Sequence, residues 1–183
     1  MAYLTYIIDH YASLPSVMAF LHPHRQGFLR AWHTDSPLHD NVDSLRNLQL
    51  SFVRQNGFVN LRCNWNPGCV QDSLNDHVDR TVWQELFNGT STPPFDEAGQ
   101  WTRPSVNATT PMPDFLKDVS HLQGRTAATC CAQFAVSREQ VRKRPIEDYI
   151  MFRDWLYGTA ENDAKSGRVM EYLWHVIFGK DSV

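Results

Sequence analysis

The sequence lacks the features that place most proteins in a functional class. Its net charge is −3, so it has no basic surplus with which to neutralise nucleic-acid phosphates. No stretch reaches the ~20 apolar residues that span a bilayer, and the first residues lack the basic start of a secretory leader. The motifs G-x-G-x-x-G, G-x-S-x-G and H-E-x-x-H and the P-loop are all missing. We therefore expect no nucleic-acid partner and no membrane span in this chain, which as written is expected to be soluble.

What is present predicts a single folded α/β domain over residues 1–183. Hydrophobic residues make up 42% of the chain and charged residues 20%, which is typical of a globular core. A segment of about 88–113, rich in proline, serine and threonine, is interpreted as a mobile surface insertion.

Strand and helix patterns alternate along the chain. Short apolar runs predict buried strands at 17–21, 58–62 and 130–136. Apolar periodicity and capping residues predict helices at 3–14, from 42 until Gly57, from Ser137, from Pro145 to Gly158, and at 166–179. This order favours a helix-covered, partly parallel sheet. Three strands are fewer than the usual ~5, so we expect one or more N-terminal strands to be missing.

The four cysteines match no standard zinc-finger spacing. Cys63 and Cys69 are six positions apart, and Cys130 and Cys131 are adjacent. They are either buried small hydrophobic residues, or one of the first pair forms a disulfide with one of the second in an oxidising compartment. Two glycosylation sequons between the pairs lean toward the second alternative.

A histidine-rich loop follows the first predicted strand. His22 and His24 lie two residues apart and share one side of an extended backbone, so His33 can complete a three-imidazole set for a divalent metal. Alternatively the imidazoles bond to loop carbonyls and stack on Trp32. Without a metal, these residues and Arg25 are the expected contacts of a small-molecule ligand, because ligands bind at the carboxyl ends of strands in open α/β folds.

The last helix carries a polar stripe on an apolar background. Arg168, Glu171 and His175 are spaced i, i+3 and i+7, so they share one face. One hypothesis makes Glu171 a general base, with His175 as a proton relay and Arg168 contacting the substrate. The other is a structural Arg168–Glu171 ion pair.

Seven sequence blocks carry the most specific signal. They are YLTYIIDHY at 3–11, FLH at 20–22, AWH at 31–33, VNLRC at 59–63, PGC at 67–69, CCAQFAVSR at 130–138 and SGRVMEYLWH at 166–175. In these blocks the chain resembles a fungal family known as domain of unknown function 3431. The resemblance implies that a further strand and an Asn-x-Gly-Arg-Glu motif, often behind a membrane anchor, normally precede residue 3. The chain would then be a truncated or short member, and an anchored full-length form would lie in the secretory pathway or Golgi lumen.

The order of the blocks is also similar to that of GT-A-type glycosyltransferases such as rhamnan-synthesis proteins. This similarity implies a GT-A/Rossmann-like fold, a nucleotide-sugar donor, a metal such as Mn or Zn near the His22 loop, and a small-molecule or glycan acceptor. It places Gln133 near the acceptor and Glu171 at the base position. The sequence has no Asp-x-Asp motif, so metal–diphosphate binding would need other ligands. The rival hypotheses are a secondary-metabolite enzyme or binding protein, such as a cyclase or isomerase without a sugar donor, and a non-catalytic truncated member.

Overall fold

The computed structural model describes residues 1–62 and 131–180. The predicted insertion at 88–113 and three of the four cysteines lie outside these residues. No helix in the two described stretches is long and apolar enough to cross a membrane. The described elements are α1 Ala2–Asp9, β1 Val17–Phe20, α2 Phe28–Ala31, α3 Asn41–Arg46, α4 Leu50–Asn56, β2 Phe58–Asn60, β3 Phe134–Ser137, α5 Arg138–Val141, α6 Ile146–Gly158 and α7 Asp163–Ile177, with 3-10 turns at Tyr11–Ser13 and Pro37–His39.

The three described strands form one sheet in the order β1-β3-β2. Both pairings are antiparallel, with Phe134 of β3 opposite Phe20 of β1 and Asn60 of β2. The α/β class is confirmed, but no described pair is parallel as the alternation of helices and strands suggested. β1 and β2 do run in the same direction. β3 lies between them and runs in the opposite direction. The alternation of helices and strands along the chain does not indicate the order of the strands in the sheet.

Side-chain caps fix where several helices begin. The Asp40 carboxylate accepts the Val42 N–H at the start of α3, and the Ser137 hydroxyl accepts the Gln140 N–H at the start of α5. The single helix expected from 42 to Gly57 is instead two, because α3 ends at Arg46 and α4 begins at Leu50.

The strand expected at 130–136 begins only at Phe134. Cys131 and Ala132 have φ values of +87° and +45°, and such left-handed backbone cannot continue a β-ladder. The chain therefore turns sharply just before β3, and this turn bears on the site described below.

Phe134 lies at the centre of the core, 1% exposed. Helix α7 supplies one wall, and its residues from 169 to 177 are nearly all buried, as its apolar sequence predicts. Five aromatic rings have centroids 5.1–5.9 Å from that of Phe134: Tyr3, Phe20, Phe58, Trp174 and Phe178.

Gly57 ends α4 as the sequence predicts, with a φ of +78° that glycine adopts readily, although its ψ of −45° differs from that of the usual left-handed cap. A Cβ at this position would overlap the Gln140 side chain. We expect Gly57→Ala to lower the free energy of unfolding by about 1–3 kcal/mol, from backbone strain and overpacking together. Urea denaturation measures this. Gly158→Ala is the matched control, because its Cβ would meet no atom within 4 Å; equal effects of the two substitutions would contradict the prediction.

Candidate functional site

The strand directions bring three sequence-distant segments to one edge of the sheet. Because β1 and β2 run together and β3 runs against them, the ends of β1 and β2 meet the beginning of β3. His22 follows β1 by two residues, Arg62 follows β2 by two, and Gln133 immediately precedes β3. These polar side chains thus emerge at one place, just beyond the buried aromatic layer.

The three imidazoles of the loop after β1 come together as a cluster. The ring centroids of His22 and His33 are 4.5 Å apart, and those of His24 and His33 are 6.3 Å apart. His33 is 5% exposed, and its Nε2 has no hydrogen-bond partner among residues 1–62 and 131–180. The Trp32 ring lies 5.8 Å from that of His33 and is partly open to solvent. A buried ring nitrogen without a partner at the rim of a fold is available to a ligand.

Gln133 positions this cluster from β3. It is buried, and its Oε1 accepts the backbone N–H of His22 at 3.2 Å. Its amide nitrogen donates to the His33 carbonyl and to the Thr34 hydroxyl, each at 3.4 Å. Gln133, predicted to lie near an acceptor, thus ties both ends of the histidine loop to the sheet.

Glu171 of α7 reaches the same cluster through Cys131. The Cys131 backbone N–H donates to the Glu171 carboxylate, and the His22 ring hydrogen-bonds to the Cys131 backbone. Arg168 donates to the other carboxylate oxygen of Glu171 at 2.8 Å, so the alternative of an ion pair within the helix is realised. Imidazole and carboxylate therefore both bond to the backbone of Cys131, in the sharp turn before β3.

Burial and neighbouring charge keep two of these imidazoles neutral. The pKa of His33 is lowered to about 4, first by burial and then by His22, His24, Arg62 and His39. Burial also lowers the pKa of His22, although the Glu171 carboxylate and the Cys131 backbone bond oppose the shift. Near pH 7 both rings are therefore unprotonated bases.

Arg62 is a member of the site that sequence reasoning missed. It is buried, its guanidinium lies 5.2 Å from the Trp32 ring centroid, and Asp35 pairs with it at 3.8 Å. Its NH1 donates to the Cys131 sulfur at 3.3 Å. The available signal was its position directly after a buried strand, where a charged side chain emerges at the sheet edge.

The other predicted residues lie at different distances from the cluster. Arg25 is exposed on the loop, and its carbonyl accepts the Asn41 N–H at 2.9 Å. His175 is buried one turn beyond Glu171, and its role as a relay stays a prediction. So does the disulfide, because Cys63, Cys69 and Cys130 lie outside the described residues.

The expected metal set of His22, His24 and His33 does not fit the observed geometry. Within residues 1–62 and 131–180, no three His, Cys, Asp or Glu side chains are placed to hold one ion.

An open groove of about 560 Å³ adjoins the cluster on the side of α3, α4 and β2. Its walls include Asp35, the ion-pair partner of Arg62, together with Phe52 and Leu61. The imidazoles do not line it, so we treat it as a neighbour of the site.

Comparison with known proteins identifies a family for this chain. The whole chain, residues 1–183, matches a family described as protein of unknown function (DUF3431). No curated protein and no solved structure matches the chain. Membership therefore brings no known activity with it, and function has to be argued from the site. The chain belongs to the DUF3431 family.

Proposed function

We propose that this protein is a glycosyltransferase-like enzyme that transfers a sugar from a nucleotide-sugar donor to a hydroxyl group of a small-molecule or glycan acceptor. The observation that carries the proposal is that the His22 imidazole and the Glu171 carboxylate both bond to the backbone of Cys131. A neutral imidazole oriented by a hydrogen bond and faced by a carboxylate is suited to general-base catalysis. The sugar donor itself rests on the distant likeness in block order.

The proposal moves the base from Glu171 to His22. Glu171 already receives the Cys131 N–H and the Arg168 guanidinium, so its oxygens are engaged. The His22 ring bonds to the Cys131 backbone through one nitrogen, which leaves the other free to accept a proton. Glu171 then stabilises the imidazolium that forms.

The proposed step balances as a displacement. The acceptor hydroxyl gives its proton to His22, and its oxygen forms a bond to the anomeric carbon of the sugar. The bond from that carbon to the diphosphate oxygen breaks, and the nucleoside diphosphate leaves with the electron pair. His24 and Trp32, on the open side of the cluster, would face the donor. No step is routed through a metal, because the three imidazoles do not form a ligand set.

Ligand binding and chemistry can be tested separately. We expect a nucleoside diphosphate at about 100 times its Kd to raise the Tm of the full chain by roughly 5–10 °C, with or without Mn²⁺. His22→Asn should keep that shift but slow nucleoside diphosphate release from the matching nucleotide sugar by about 10²–10⁴-fold. His10→Asn, an exposed histidine outside the cluster, should change neither. Failure of UDP, GDP, CDP and ADP to shift the Tm would sink the proposal.

A second candidate is a secondary-metabolite enzyme or binding protein that uses no sugar donor. The favouring observation is the buried His33 Nε2, which has no partner in the described part of the chain and lies next to the Trp32 ring. Such a nitrogen can bond to a polar group on an aromatic or cyclic molecule. Under this proposal nucleotides leave the Tm unchanged, while an aromatic ligand raises it in the wild type and not in His33→Phe.

A further inference from the structure

The loop between β1 and α3, which includes the short helix α2, carries large apolar side chains into solvent. Phe28, Leu29 and Leu38 are 71%, 90% and 86% exposed. We call these three residues the apolar tip. Side chains of this kind are ordinarily buried, and a single exposed one needs no explanation. Three exposed apolar side chains within eleven positions of one loop do need an explanation.

Hydrogen bonds hold the loop in a fixed shape, so a flexible backbone does not explain why the tip is exposed. Buried Asn41 donates its backbone N–H to the Arg25 carbonyl at 2.9 Å and its side-chain amide to the His24 carbonyl at 2.7 Å. Across the loop, the Gly27 N–H donates to the Leu38 carbonyl at 3.3 Å. The beginning of the loop is therefore anchored to the start of α3, and a further bond ties Gly27 to Leu38 across the loop.

The backbone of the apolar tip is strained at Leu38, whose side chain points into solvent in this conformation. Leu38 has φ +60°, a conformation that costs a leucine free energy and that glycine or asparagine adopts more readily. The neighbouring His39 ring bonds to the Thr34 carbonyl at 2.7 Å and contacts the Phe28 ring, with centroids 5.4 Å apart. An outlier of this kind, retained at an exposed site, points to a function for the side chain displayed there.

The charge around the tip is positive, although the whole chain carries a net charge of −3. Arg25 and Arg30 are exposed, and neither side chain makes an ion pair among the described residues. Of the two aspartates in this segment, Asp35 pairs with Arg62, whereas Asp40 caps α3 and keeps its negative charge. Two free guanidinium groups thus flank three exposed apolar side chains.

We infer that the apolar tip docks this protein on an anionic lipid membrane surface. Phe28, Leu29 and Leu38 would enter the layer just below the headgroups, while Arg25 and Arg30 contact lipid phosphates. A protein partner fits less well, because a stable interface engages roughly 20–30 residues on each side and the tip offers three. The inference does not depend on the proposed function.

Vesicle sedimentation of the full chain tests this. We expect binding to vesicles of phosphatidylcholine with about 30% phosphatidylserine, and much weaker binding to phosphatidylcholine alone, because anionic lipid attracts basic residues near the surface. Replacing two inserted leucines, as Leu29→Ser with Leu38→Ser, should lower the partition coefficient about tenfold or more. Arg25→Gln with Arg30→Gln should lower it about fivefold for each arginine and remove the preference for phosphatidylserine.

Matched variants elsewhere on the surface control for general effects. Leu50→Ser with Phe52→Ser changes two exposed apolar side chains of α4. Arg46→Gln with Arg54→Gln changes two exposed arginines away from the tip. Both should bind vesicles like the wild type. Three results would overturn the inference: no vesicle binding by the wild type, equal losses in the tip and control variants, or a dimer in light scattering that only the tip variants abolish. The last would assign the tip to a second copy of this chain.

Discussion

Phe134→Ala is expected to lower the free energy of unfolding by about 3–5 kcal/mol and the Tm by roughly 10 °C. Its ring is 1% exposed and lies against five other aromatic rings, which come from α1, β1, β2, α7 and the residue that follows α7. Truncation removes the apolar transfer energy of the ring and leaves a cavity that rigid aromatic neighbours cannot fill. Chemical denaturation followed by near-UV circular dichroism measures the loss.

Phe52→Ala is the matched control for this prediction. The side chain of Phe52 is 50% exposed on α4, so the same substitution there should cost far less. If the two variants unfolded at the same denaturant concentration, Phe134 would not be the centre of the core. The aromatic layer around it would then not support the edge of the sheet where the site lies.

The free energy of unfolding should fall as the pH drops from about 6.5 to about 4, and His33 should cause much of the fall. The pKa of His33 is about 4 in the folded protein, against 6.5 in the unfolded chain. Between these values the unfolded chain binds a proton that the folded protein does not, so acid favours unfolding. The contribution is at most roughly 3 kcal/mol, lost across this window and unchanged below it. His22 acts in the same direction, because burial lowers its pKa too.

His33→Asn should flatten this part of the pH profile. The comparison is the difference in free energy of unfolding between wild type and variant at pH 7 and at pH 4, measured by urea denaturation. Carboxylates protonate in both proteins and largely cancel in that difference. An identical acid dependence in the two proteins would show that His33 is not held neutral by burial and by the charges of His22, His24, Arg62 and His39.

Local chemistry made much of the fold predictable. Gly57 stops a helix because its backbone can turn left-handed, and Ser137 starts one because its hydroxyl accepts a free N–H, so both positions were read from residue type alone. The partners of the strands were not predictable in this way. Nothing local to β1 or β2 states that β3, far along the chain, enters between them.

The candidate site was likewise predictable only where its residues are close together in the sequence. His22, His24 and His33 lie on one loop, so their spacing was enough to predict that they meet. The contact of Glu171 with Cys131 joins residues forty positions apart and depends on the left-handed turn before β3, which no periodicity reveals. The involvement of Arg62 required knowing that β1 and β2 end at the same edge.

The claim that the histidine loop and Glu171 form one site is tested most directly by NMR titration of the imidazole rings. In the wild type we expect His33 to titrate near pH 4 and His22 below its ordinary value. Because the Glu171 carboxylate raises the pKa of His22 against the effect of burial, Glu171→Gln should move the His22 midpoint further down, whereas Glu139→Gln, exposed on α5, should leave it in place. A His22 midpoint that is the same in wild type and Glu171→Gln would contradict the account.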